Sequence, residues 1–103
     1  MSETEDADFP ELGRSQLPPA SFDFLILSLR AQAEMQMGLF SFGGEEDKPQ
    51  KNLALSRHTI DLMAVLLEKT RGNLALEEQR LLENSLTELR FRYIQAVEES
   101  KQT

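Results

Sequence analysis

Few side chains in this sequence carry the means to do chemistry. The only histidine, His58, stands one helical turn before Asp61, a spacing at which both could hold a metal ion. A zinc site needs three or four such ligands, and the chain has no second His and no Cys. His58 therefore reads as an outward, solvated side chain. Di-iron bundles project Glu-x-x-His pairs inward, and none occurs here. Glu77, Glu78, Glu83 and Glu88 could serve acid-base work or magnesium, but stepping about 100° per residue spreads them around a helix. Glu88 and Arg92 instead read as an i,i+4 surface pair, worth about 0.3 kcal/mol. Arg80, Arg90 and Arg92 could gather into a basic patch, yet Glu83 and Glu88 lie among them, so a solvated face is expected. Gly43-Gly44 runs straight into Glu45, Glu46 and Asp47, which would repel a phosphate. The expectation is a protein that is not an enzyme, with no catalytic residue, no metal and no cofactor.

Composition points the same way. The chain has 103 residues, enough for one small domain, and 40% of them are hydrophobic against 28% charged, which permits a packed core. Its net charge of −7 is unevenly spread: residues 1–19 carry −4, residues 20–50 carry −3, and residues 51–103 are neutral. No segment offers the basic excess that would hold a nucleic acid or an anionic membrane. The absence of cysteine rules out disulfides and thiolate nucleophiles and fits a cytoplasmic location. Ser2 to Asp8 is small and acidic, and no basic then apolar export signal follows Met1. With prolines at 10, 18 and 19, residues 1–20 read as a disordered acidic leader, in which Phe9 and Leu12 could form a short docking motif.

Residues 21–100 read as a single helical domain, with helices at about 22–40, 52–71 and 76–99. The first opens at Ser21, a suitable cap, and 12 of the 19 residues from Phe22 to Phe40 are apolar. Polar and apolar residues alternate from Ser28 to Met37 as in a strand, but the types are helix formers and none is β-branched. As a helix the segment has two apolar faces. Phe22, Ile26, Leu29, Ala33, Met37 and Phe40 form one, and Phe24, Leu27, Ala31 and Met35 the other. Asp23, Arg30 and Glu34 form one dividing polar seam, and Ser28, Gln32 and Gln36 the second. Two apolar faces need two partners. Arg30, Glu34 and the neighbouring polar groups oppose a transmembrane reading, and Ser41 to Gln50 reads as a loop.

Asn52 is the expected cap of the second helix and Gly72 its left-handed stop. Leu53, Ile60, Ala64 and Leu67 form one apolar row, Leu55, Leu62 and Leu66 another, with Met63 between. In the third helix Leu82, Leu86, Leu89, Tyr93 and Ala96 make a 4-3-4-3 packing seam. The short turn makes these two helices an antiparallel hairpin. The fold class expected is all-α, a long apolar helix followed by a helix-turn-helix hairpin and completed by oligomerisation.

The run from Asn52 to Tyr93 resembles the bacterial family called domain of unknown function 1844. The residues that carry the likeness are Ile60-Asp61-Leu62, Glu68-Lys-Thr-Arg-Gly-Asn-Leu74, Glu77-Glu-Gln-Arg-Leu-Leu82 and Leu89-Arg-Phe-Arg-Tyr93. Ser21-Phe-Asp-Phe24 and the apolar helix after it are similar too, so the resemblance spans roughly residues 20–95. It implies a small bacterial helical domain and supplies no site residue. Ala75 stands where the family's look suggests a Thr or Ser cap.

Both faces of the first helix are therefore the expected self-association residues, one on its own hairpin and one on a second copy. Leu81, Phe91 and Ile94 fall off the third helix's seam and form a second candidate patch for this contact or for another protein. The function expected is a self-associating structural or regulatory module. The alternative is a peripheral membrane or membrane-complex protein docking through residues 22–42.

Overall fold

The computed structural model describes residues 17–39 and 51–102. They hold three helices, α1 (Phe22–Gln36), α2 (Leu53–Lys69) and α3 (Leu76–Gln102), and the architecture is all-α. Residues 1–16 of the expected leader, Phe40 and the expected loop at 41–50 lie outside the described residues.

Local chemistry accounts for each boundary. Ser21 caps α1, its side chain accepting the Phe24 N–H at 3.0 Å, and Asp23 adds a negative charge where the helix dipole favours one. The helix stops at Gln36, short of the expected Phe40, because Gly38 turns into the left-handed region at φ 82°. Leu39 N–H donates to the Glu34 carbonyl at 3.0 Å and Gly38 N–H to that of Met35 at 2.9 Å. These are the two bonds of a Schellman stop. Leu39 extends the apolar periodicity past the glycine, which is why the pattern alone overran.

Asn52 caps α2 as expected, accepting the Leu55 N–H at 3.0 Å, while its own N–H donates to the Gln36 carbonyl at 2.7 Å and ties the two helices. At the far end the Thr70 hydroxyl donates back to the Leu66 carbonyl at 2.7 Å, and Gly72 at φ 80° reverses the chain. The next helix opens without a hydroxyl at position 75. Glu78 compensates: its carboxylate accepts the Ala75 N–H at 2.8 Å, the returning half of a capping box. From there α3 runs to Gln102, beyond the expected Glu99.

Each helix packs against both others. Arg30 meets Ser85 and Glu88 while Glu34, a turn later, meets Arg92, so α1 and α3 run in the same direction. The core is made by Ile26, Ala33 and Met37 of α1 and its stop, Ile60 and Met63 of α2, and Leu82, Leu86 and Leu89 of α3. Burying side chains of this size stabilises by about 2 kcal/mol each. Three small polar residues share the interior, and all are satisfied. The Ser56 hydroxyl donates to the Leu53 carbonyl at 2.9 Å, and that of Thr59 to Gln36 Oε1 at 2.7 Å. Ser85 accepts from Arg30 at 3.4 Å. Among the described residues no helix is long and apolar enough to cross a membrane.

Candidate interaction surface

The two faces of α1 have different fates. Ile26, Ala33 and Met37 are buried against the hairpin, and Phe22 and Leu29 pack at the rim of the same core. These five residues are taken up within the chain, on the face that the two-partner reading gives to the hairpin. On the opposite side Phe24, Leu27 and Met35 remain 43%, 49% and 47% exposed, with Ala31 half-buried between them. Leu25 is equally open, a residue that the two-face reading left out.

This outer face has no charge. Stepping 100° per residue from Leu27 round to Leu25, the arc away from the core also takes in Ala31, Phe24, Met35, Ser28 and Gln32. Its charged residues lie elsewhere. Arg30 and Glu34 turn toward α3, where Arg30 donates to Glu34 at 3.3 Å, to Ser85 and to Glu88, and Arg92 reaches Glu88 at 3.2 Å and Glu34 at 3.9 Å. The seam expected merely to divide two apolar faces thus clamps α1 onto α3. Glu88 and Arg92, expected as an isolated surface pair, are its outer half. On the other flank Gln36 meets Thr59. Leu55 and Leu62 share the ridge of Thr59 at helical spacing and stay 43% and 44% exposed, so they lie beside the α1 face, with Val65 further out. The wide apolar arc read for α2 therefore splits. Ser56 and Thr59 go inside, and these two leucines do not.

The second candidate patch does not hold together. Leu81 is packed against the core, a correction to its expected place off the seam. Phe91 and Ile94 do face away from the seam, at 61% and 59% exposure, but they border different grooves. Phe91 lines one with Met37 and Leu39, and Ile94 lines another with Arg57, Ile60 and Tyr93.

Chemistry is sparse among the described residues. His58 and Asp61 are both exposed, Asp61 faces Arg57 at 3.9 Å, and no three His, Cys, Asp or Glu side chains converge on one point. The perturbed pair is Glu68 and Arg71 at the α2–α3 turn. Hydrogen bonding to the Arg71 guanidinium, and then its charge, lowers the Glu68 carboxyl below its ordinary value, and the same contact raises Arg71. Both side chains are exposed, so this is a turn clip and not a reactive centre.

Residues 19–95 match the family model described as Domain of unknown function (DUF1844). No curated protein and no solved structure matches the chain.

Proposed function

The chain belongs to that family, and we propose that it acts as a self-associating helical module whose role is structural or regulatory, working in the cytoplasm without catalysis. One observation carries the reading. After α1 has given one apolar face to its own hairpin, it keeps a second, uncharged one, with Phe24, Leu25, Leu27 and Met35 open to water and Leu55 and Leu62 beside it. An apolar face of this kind, bounded by the Arg30 and Glu34 clamp on one edge, is the usual mark of a protein partner. A second copy is the economical one, since both copies bring the same uncharged surface and no like charges meet.

Light scattering behind size exclusion, on the full chain without detergent and over a hundredfold dilution, tests this. A defined oligomer is expected, and L27E should convert it to a monomer with helical circular dichroism unchanged. A wild-type protein that stays monomeric at the highest concentration contradicts self-association. If that monomer floats with neutral lipid vesicles, the face belongs to a membrane.

A further inference from the structure

We infer that two copies pair through α1 in antiparallel fashion about a two-fold axis passing between Leu29 and Arg30, with Phe24 of each copy on Met35 of the other. This rests on the self-association reading and specifies its geometry. The argument begins with spacing. The residues along the middle of the outer face are Phe24, Ser28, Ala31 and Met35, separated by 4, 3 and 4 positions. That pattern reads the same in both directions. An antiparallel two-fold pairing that sets position 24 against 35 therefore also sets 28 against 31, and the same four residues face themselves. It is the seam spacing at which paired helices interlock.

Size and charge agree with this register. The small residues Ser28 and Ala31 meet at the axis, where the helices come closest, and the large ones lie at both ends. Each end then joins an aromatic ring to a thioether, a favourable contact. A parallel pair would repeat identical residues along its length and align the two helix dipoles, which antiparallel packing opposes. Arg30 and Glu34 stay turned toward α3 and do not enter the contact.

The area is sufficient. Phe24, Leu25, Leu27, Met35, Leu55 and Leu62 are each 43% to 49% exposed. Together they offer about 500 Å² per copy, so a pair that covers them buries roughly 1,000 Å², the least that a specific interface needs. The leucines of α2 flank the α1 contact and would close over its sides.

The chain has no cysteine, so introduced thiols report cleanly. F24C/M35C, F24C and M35C are oxidised in air and run on non-reducing gels, with light scattering on the reduced proteins in parallel. Within one chain positions 24 and 35 are about 16 Å apart along the helix, too far for an internal disulfide. The double variant is expected to become a covalent dimer at least tenfold faster than either single one, and an equimolar mixture of the singles to give the mixed dimer. Rapid self-linking of F24C alone overturns the antiparallel pairing in favour of a parallel one. A dimer by light scattering in which none of the three links overturns the register while leaving self-association standing. A wild-type protein that is monomeric throughout overturns both.

Discussion

Replacing Arg30 by Met removes the guanidinium from the α1–α3 clamp while keeping an aliphatic stem of similar reach. The lost contacts are those to Glu34 at 3.3 Å, to Ser85 at 3.4 Å and to Glu88. An exposed ion pair would contribute at most about 1 kcal/mol, and stripping the partner from a fully buried charge costs about 3–5 kcal/mol. This site lies between those limits. The Arg30 side chain is 25% exposed and that of Glu34 12%, whereas Glu88 at 42% is well hydrated. R30M leaves Glu34 nearly buried beside Glu88, with only Arg92 at 3.9 Å to offset it. A cost of about 2 kcal/mol follows, a fall in Tm of roughly 8–16 °C for a domain of this size. Urea denaturation followed at 222 nm, at fixed protein concentration because association adds to apparent stability, measures it. In R30M/E34Q the stranded charge is gone, so that variant should recover about half of the loss. A cost under about 0.5 kcal/mol for R30M, or no recovery with E34Q, would place the clamp among ordinary surface pairs and refute the reasoning.

Ala75→Ser supplies the missing half of the capping box around Glu78 and should stabilise by about 1 kcal/mol, whereas E78Q or E78A should not stabilise at all in the same urea titration. Met63→Ala opens a cavity in the core and should cost about 3 kcal/mol, while F91A, on an exposed side chain, should change stability by no more than about 0.5 kcal/mol. Because Arg71 lowers the folded-state value of Glu68, that pair's stabilisation is fully present above the ordinary carboxylate value and is lost as pH falls through the lowered one. Side-chain NMR should find Glu68 titrating below the ordinary glutamate value, and R71A should return it toward that value.

Much of the architecture was legible because it rests on local signals. Ser21, Asn52 and Gly72 mark helix ends by chemistry that operates within a few residues, and the seam Leu82-Leu86-Leu89-Tyr93-Ala96 declares the inner face of α3 by its period. The errors share a cause. Continued apolar periodicity hid the stop at Gly38, since a glycine inside a pattern is weighed against its neighbours and not against the bonds its left-handed turn can make. Angle alone puts Leu81 off the seam, but it packs on the core. Ser56, Thr59 and Ser85 gave no sign of burial, because a hydroxyl tolerates the interior only when a partner is at hand.

By itself the sequence determined three helices, the caps at Ser21 and Asn52, the stop at Gly72, the antiparallel hairpin and the double-faced character of α1, all consequences of residue type and period. Only the tertiary structure decided which face of α1 the hairpin takes. It also turned Arg30 and Glu34 from a dividing seam into a clamp on α3, and it left Leu55 and Leu62 beside the open face. Period fixes the angle between side chains on one helix and says nothing about how that helix is rotated against its neighbours. That rotation is set by contacts between residues far apart in the chain, such as Arg30 and Glu88, 58 positions apart.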